Sequence, residues 1–165
     1  MIEDVELLVN GKSFLGWKDF RFSRSLKNIV ASFSLSLTDR WDGLGKPWQI
    51  YPGDKCVVKS SGSILLSGYI DDVSMSYDPK SRSIEVSGRE KTCDLVDCSI
   101  DYRLQSQTQK MTITALCKKI CDQFHLGVIN RSGADPDFDF ISIAPGDNGH
   151  QIIEKYARVA GLLIH

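Results

Sequence analysis

The chain has 165 residues, 42% of them hydrophobic and 25% charged, which favours a folded domain with a buried core over intrinsic disorder. Its 20 basic residues balance 21 acidic ones, so the charge disfavours sequence-independent binding of nucleic acid. No apolar run approaches the ~20 residues of a membrane-spanning helix, and "MIEDVELLVNG" lacks the features of a secretion signal. We expect synthesis in the cytoplasm, no membrane insertion and no specific nucleic-acid partner.

The first 90 or so residues are patterned as a succession of β-strands. Asn10 and Gly11 separate two short apolar runs, which predicts a tight hairpin because both residues tolerate a positive φ. In "ASFSLSLTD" the apolar residues Phe33, Leu35 and Leu37 alternate with serines, as in a half-buried antiparallel strand. About six or seven such strands, without a helical period among them, predict a small barrel or sandwich. We assign residues 1–100 to an antiparallel β-barrel domain.

Residues 101–165 show a helical pattern instead. The apolar residues of "MTITALCKKICDQFHLG" recur at spacings of three and four, which predicts an amphipathic helix capped by Thr112 and ended by Gly127. "DNGHQIIEKYARVAG" predicts a second helix, with Asn148 and Gln151 as its capping pair and Gly161 at its end. The predicted fold class is α+β: an N-terminal antiparallel barrel followed by a smaller α/β segment with two amphipathic helices.

The last residues, "GLLIH", begin an apolar run that predicts the start of a strand. A strand that starts there needs a partner and a continuation. We therefore expect the chain to be part of a longer protein, with residues 101–165 an incomplete domain.

Four cysteines raise the question of a zinc site, because four thiolates bind zinc tetrahedrally. Cys93 and Cys98 lack the two-residue spacing of a zinc knuckle, and Cys117 and Cys121 lie in the apolar stripe of the first helix. The sequence favours small buried hydrophobes over metal ligands, although it leaves metal binding open. We assign no metal and no cofactor.

The sequence offers no nucleophile with a base beside it, so we assign no catalytic residue and predict that the chain is not an enzyme. Asp71 and Asp72 are consecutive in a predicted strand, where side chains alternate, so we expect one carboxylate on each face. Trp41 and Trp48 lie in the loop "DRWDGLGKPWQIYPGD". They are candidates for stacking on a sugar or a base, but closing the barrel or an interface is the favoured interpretation.

Several segments, taken in order, resemble the tail protein P family of Mu-like contractile phages, the baseplate hub. They are "VELLVNGKSFLGWKDFRFSRSLKNIVASFSLSLTDRW", "WQIYPGDKCVVK" and "LLSGYIDDVSMSYDPKSRSIEVSGREKTCDLVDCS", followed more loosely by "QKMTITALCKKICDQFHLGV" and "QIIEKYARVAGLLI". The resemblance implies a structural component of a virion tail: a homotrimeric ring of β-barrel domains that joins the tail tube to the central spike. The implied partners are further copies of the chain, the spike protein, the tube and other baseplate proteins.

In that family the stretch "SGREKTCDLVDCS" closes the first barrel and leads into the next domain. The residues fit this role, since Gly88 permits a bend, while Arg89 and Lys91 are placed to pair with Asp94 and Asp97. The serines of "SFSLSLTD" are equally suited to line an aqueous pore or to face bulk solvent.

Two other functions remain as alternatives. The first is a β-barrel binding module for carbohydrate or single-stranded nucleic acid, with the two tryptophans as the ligand contacts. The second, less favoured, is a cell-wall hydrolase.

Overall fold

The computed structural model describes residues 4–26, 28–38, 50–78, 81–101 and 110–164. The chain divides into two compact units, Met1–Lys91 (unit 1) and Thr92–His165 (unit 2), which are described separately. The domain boundary expected at residue 100 stays a prediction. Among the described residues, no helix is both long and apolar enough to cross a membrane.

The described residues of unit 1 form an antiparallel sheet of seven strands with the spatial order β2-β1-β5-β6-β7-β4-β3. The strands are β1 (Val5–Val9), β2 (Lys12–Phe14), β3 (Asp19–Ser25), β4 (Asn28–Thr38), β5 (Lys55–Ser60), β6 (Ser63–Asp78) and β7 (Ser81–Glu90). The hairpin predicted at Asn10 and Gly11 is confirmed, because both residues have a positive φ and Val9 pairs with Lys12 across them. A second such turn, at Ser61 and Gly62, joins β5 to β6.

The sheet is strongly curled around a single core. Leu7 on β1 and Phe33 on β4 belong to the same buried cluster, although three strands lie between β1 and β4 in the sheet. In a flat sheet, strands four steps apart would be separated by roughly 19 Å, too far for side chains to share a core. The predicted antiparallel sheet is therefore confirmed. Within the residues described, no ladder joins the outermost strands β2 and β3, so the structure does not confirm that the sheet closes into a barrel.

Trp17 lies deep in this core, only 1% exposed. Its indole N–H donates to the carbonyl oxygen of Phe14 at 3.1 Å, which satisfies the one polar atom of the ring. The residue belongs to the same buried cluster as Val9 of β1 and Leu35 of β4.

The described residues of unit 2 form three α-helices and a two-stranded ladder. The elements are α1 (Cys93–Asp97), β8 (Met111–Thr112), α2 (Ile113–Cys121), a 3-10 turn (Asp122–Phe124), β9 (Asp137–Phe138) and α3 (Gly149–Val159). Helix α3 packs against both α1 and α2. Gly149 makes this packing close, because a Cβ atom there would lie 2.8 Å from Cδ2 of Leu95 and 3.0 Å from Cγ2 of Ile120.

Both predicted helix starts are confirmed. The Thr112 hydroxyl accepts a hydrogen bond from the amide of Ala115 at 3.2 Å. Asn148 and Gln151 form the reciprocal capping box, with Asn148 Oδ1 accepting from the Gln151 amide at 2.8 Å. These bonds satisfy backbone N–H groups that the first turn of a helix leaves unpaired.

The predicted end of helix α2 is wrong. Helix α2 stops at Cys121 rather than at Gly127, because the chain tightens into the 3-10 turn and reverses at His125, whose φ is 53°. Residues 162–164 lie outside the strands of the structure, so a strand start at "GLLIH" is not observed. The predicted end of the second helix at Gly161, with φ 68°, is confirmed.

Candidate functional site

A polar surface of unit 1 lies on the outer side of the four neighbouring strands β3, β4, β7 and β6, and we call it the polar face. Strand pairing aligns its residues in four rows across the strands. The rows are Ser23, Ser32, Arg89 and Tyr69; Arg21, Ser34, Ser87 and Asp72; Asp19, Ser36, Glu85 and Ser74; and Ser83 and Ser76. The intervening residues of β4, Phe33 and Leu35, are buried in the core, which confirms the predicted alternation.

Hydrogen bonds between side chains cross the polar face from strand to strand. The Ser34 hydroxyl donates to Glu85 Oε1 at 2.8 Å, and the Ser36 hydroxyl donates to Asp19 Oδ2 at 3.1 Å. Cross-strand pairs of this kind hold short side chains close to the sheet. These serine hydroxyls are therefore held close to the sheet, between the larger charged side chains of the same rows.

Acidic side chains outnumber basic ones on and beside the polar face. The acids are Asp19, Asp71, Asp72 and Glu85, against the two bases Arg21 and Arg89. Arg89 is paired, since its Nε lies 2.7 Å from Asp71 Oδ2 and its Nη2 3.3 Å from Oδ1 of the same carboxylate. Arg21, the other basic side chain of the face, forms no ion pair among the described residues.

The expectation that Asp71 and Asp72 lie on opposite faces of the strand is wrong. The register of β6 against β7 shifts between Ile70, which pairs with Gly88, and Asp72, which pairs with Ser87. The extra residue, Asp71, forms a β-bulge, and such a bulge interrupts the alternation of side chains. Both carboxylates therefore belong to the polar-face side, where Asp71 meets Arg89.

The predicted junction residues lie where unit 1 ends and unit 2 begins. Gly88 and Arg89 lie near the end of strand β7, and Lys91 follows the strand. Asp94 and Asp97 lie in helix α1. The Lys91 amide donates to the Ser67 carbonyl oxygen at 3.0 Å. The pairing of Arg89 and Lys91 with Asp94 and Asp97 stays a prediction.

A second ion pair, which the sequence does not predict, lies at this end of β7. Arg24 Nη2 lies 2.7 Å from Glu90 Oε1 and donates to the Leu65 carbonyl oxygen at 3.3 Å. Glu90 Oε2 accepts from the Ala31 amide at 3.4 Å. The Arg24–Glu90 ion pair and the hydrogen bonds of its two side chains thus connect four strands, β3, β4, β6 and β7. Only the curl of the sheet brings Arg24 to β6, so no pattern in the sequence signals this contact.

The cysteines behave as buried apolar side chains, with one exception. Cys93, Cys117 and Cys121 are buried, whereas Cys98 is exposed. Burial raises the pKa of the Cys121 thiol to about 11 and also raises that of Cys117, which disfavours the thiolate that binds zinc. In the part of the chain that the structure describes, no three metal-ligating side chains cluster. Trp41 and Trp48 lie outside that part.

Two family models match the chain, one after the other. The model "Mu phage baseplate assembly protein GpP-like, N-terminal" matches residues 4–90, and "Baseplate hub protein gp44-like, second domain" matches residues 92–165. The chain belongs to the Mu-like baseplate hub family. The two matches meet beside Lys91, where the two compact units also meet.

Relatives of the hub family share both sequence and structure with this chain. Baseplate hub protein gp44 of Escherichia phage Mu is 26% identical over 172 residues, which cover 99% of this chain and 43% of that protein. The 43 kDa tail protein of prophage MuSo2 from Shewanella oneidensis has a TM-score of 0.86 at 35% identity, covering 97% of this chain and 49% of its own. For a tail protein from Neisseria meningitidis MC58 the TM-score is 0.82 at 25% identity, covering 97% and 46%. The chain therefore spans less than half the length of these relatives.

Proposed function

We propose that this chain is the N-terminal part of a baseplate hub in a contractile phage or prophage tail. The observation that carries the proposal is the consecutive match of its two halves to the first and second domains of hub proteins. The role is one of assembly, without a catalytic step. Its location is the tail baseplate of the virion, after synthesis in the cytoplasm of the bacterial host.

The hub is a homotrimeric ring that joins the tail tube to the central spike and contacts other baseplate proteins. A closed ring requires a heterologous contact, in which one surface of a copy binds a different surface of the next. Strand β3 lies at one edge of the sheet that the structure describes, and sheet edges are common docking surfaces. This edge supports self-association, and the trimer itself is the proposal.

The polar face is the proposed wall of the central pore. An antiparallel sheet commonly keeps one face in water, and here that face is rich in serine and carries more acidic than basic side chains. Small, hydrogen-bonded side chains such as Ser34 and Ser36 leave room in a channel and offer no apolar contact. The competing assignment is an outer surface in contact with bulk solvent.

The solution mass of the complete gene product, measured by light scattering beside that of this 165-residue chain, tests the ring. A trimer of the complete product is the expected result. A strict monomer at high concentration would contradict a pre-assembled hub. Quenching of tryptophan fluorescence by a carbohydrate or by single-stranded DNA would then favour the binding-module function instead.

Thiol labelling tests the pore wall separately from the oligomeric state. Ser74→Cys places a thiol on the polar face, and Ser13→Cys places one on β2, away from that face, both in a Cys98→Ser background. In the assembled hub we expect a small maleimide to label both positions, and a bulky polyethylene-glycol maleimide to label Cys at position 13 much faster than at position 74. Equal labelling by the bulky reagent would assign the polar face to the outside of the ring.

A further inference from the structure

At its end, strand β7 pairs with β6 but no longer with β4 among the described residues. Strand β4 pairs with β7 only as far as Arg89, opposite Ser32. Beyond that point the ladder consists of Glu90 opposite Gly68 and the hydrogen bond from the Lys91 amide to Ser67. Unit 1 ends at Lys91, so this thinning ladder is the last part of the sheet before the chain enters unit 2.

Two ion pairs hold this end from opposite faces of the strand. Arg89 belongs to the polar face, and its guanidinium binds Asp71 in the β6 bulge with two hydrogen bonds. Glu90 follows Val86 and Gly88 on the other face of β7, where it binds Arg24 at 2.7 Å. Because neighbouring residues of a strand point to opposite sides, the two pairs act on consecutive residues from both sides of the sheet.

The Arg24–Glu90 pair has supporting contacts that an isolated surface ion pair lacks. The Glu90 side chain is 23% exposed and also accepts the Ala31 amide, while Arg24 donates to the Leu65 carbonyl oxygen. The guanidinium carbon of Arg24 lies 5.7 Å from the centre of the Phe22 ring, a cation–π distance. Several partners fix each group, which reduces the conformational entropy lost in forming the pair.

We propose that the pairs Arg24–Glu90 and Arg89–Asp71 form a clasp that controls how readily the chain opens where unit 1 ends. Beyond Arg89, β7 no longer pairs with the backbone of β4. The side-chain bonds of the clasp hold the strand there instead. It is a conformational device of this segment and does not depend on the hub assignment. The bond after Lys91, which trypsin recognises, reports on its opening.

Limited trypsin digestion tests the clasp. The variants Arg24→Gln and Asp71→Asn each remove one pair while leaving the residues around the Lys91–Thr92 bond unchanged, so the intrinsic cleavage rate stays the same. When opening is fast relative to cleavage, the rate follows the population of the open form. We expect each variant to raise cleavage after Lys91 by about two- to five-fold, the range for removing an exposed ion pair, and the double variant to raise it further.

Glu154→Gln is the matched control, because it removes an ion pair of similar length, 2.6 Å to Arg158, on helix α3. This control should leave cleavage after Lys91 unchanged. Cleavage after Lys59, inside the sheet, separates local opening from general unfolding. Unchanged cleavage after Lys91 in both clasp variants, or an equal rise after Lys59, would overturn the proposal.

Salt provides a second readout that needs no substitution. Exposed ion pairs weaken as ionic strength rises, since the Debye length falls from about 10 Å at 0.1 M to about 3 Å at 1 M. Relative to a denatured reference digested in the same buffers, 1 M sodium chloride should accelerate cleavage after Lys91 in the wild-type chain. The same salt should have no such effect in the Arg24→Gln, Asp71→Asn double variant. Identical salt responses in the two proteins would also overturn the clasp.

Discussion

The ring of Phe33 on β4 occupies the space that a side chain at Gly88 on β7 would need. The two residues are paired across the sheet, and a Cβ atom on Gly88 would lie 2.7 Å from Cε1 of Phe33. It would also lie 2.3 Å from the carbonyl oxygen of Tyr69 on β6. Gly88 therefore lets three strands pack around an aromatic ring two residues before strand β7 ends.

We expect Gly88→Ala to destabilise unit 1 by about 1–3 kcal/mol, because Phe33 and the β6 backbone must both move to admit a methyl group. Urea unfolding followed by circular dichroism measures the change. Gly127→Ala is the control, since nothing lies within 4 Å of a Cβ atom there. Equal stability of the two variants would contradict the close packing around Gly88.

Neighbouring residues of β4 should differ sharply in their contribution to stability. Leu35 is fully buried in the core, so Leu35→Ala should cost about 2–5 kcal/mol through lost burial and the cavity left behind. Ser34→Ala loses only the hydrogen bond to Glu85 on the polar face and should cost about 1 kcal/mol or less. The same unfolding measurement compares them, and a larger loss for Ser34→Ala would contradict the assigned faces.

Local features of the fold could be predicted from the sequence because each depends on a few adjacent residues. The alternation in "ASFSLSLTD", the turn at Asn10 and Gly11, and the caps at Thr112 and Asn148 all belong to this kind. A cap needs only a side-chain oxygen within three residues of an unpaired amide. The same reasoning failed at the end of α2, where His125 rather than a glycine adopts the left-handed conformation.

The contacts at the end of β7 could not be predicted, because they depend on register and on the curl of the sheet. Asp71 reaches Arg89 through a bulge that the alternating pattern of β6 does not reveal. Arg24 reaches Leu65 only because β3 and β6, three steps apart in the sheet, approach each other around the core. Sequence order places Arg24 and Glu90 far apart, at a separation of 66 residues.

Unit 2 should lose stability in acid through Asp135. The amide of Thr114, in the first turn of α2, donates to Asp135 Oδ1 at 2.9 Å. That bond lowers the pKa of the Asp135 carboxyl, with help from the hydroxyls of Thr114 and Thr112 and the charge of Lys118. A lowered pKa means that the carboxylate stabilises the folded state above the unfolded pKa of about 3.9, and that this contribution disappears as the pH falls through the folded pKa.

Asp135→Asn should therefore destabilise the chain at pH 7, and the difference from wild type should shrink as the pH is lowered below about 4. Thermal unfolding of both proteins across this range measures the effect. Asp137→Asn, two residues further along in β9, serves as the control for a general loss of negative charge. A difference that stays constant from pH 7 to the acid limit would show that the Asp135 carboxylate does not carry the effect.

The thiols should divide into one reactive cysteine and four protected ones. Cys98 is exposed, whereas Cys56, Cys93, Cys117 and Cys121 are buried. Burial raises the pKa of Cys56 to about 12 and that of Cys121 to about 11, so almost no thiolate is present at these positions at pH 8. We expect Ellman's reagent to modify one thiol rapidly in the native chain and all five after denaturation.

The variant Cys98→Ser tests whether Cys98 is the rapidly reacting thiol. The rapid phase should be absent in this variant. Its free energy of unfolding should equal that of the wild type, since the side chain of Cys98 is exposed. Two or more rapidly reacting thiols in the native wild-type chain would contradict the burial of the other four. A zinc site involving Cys98 predicts a different result, because the metal would protect this thiol until a chelator removes it. Equal rates with and without chelator therefore favour the interpretation of the buried cysteines as small apolar side chains.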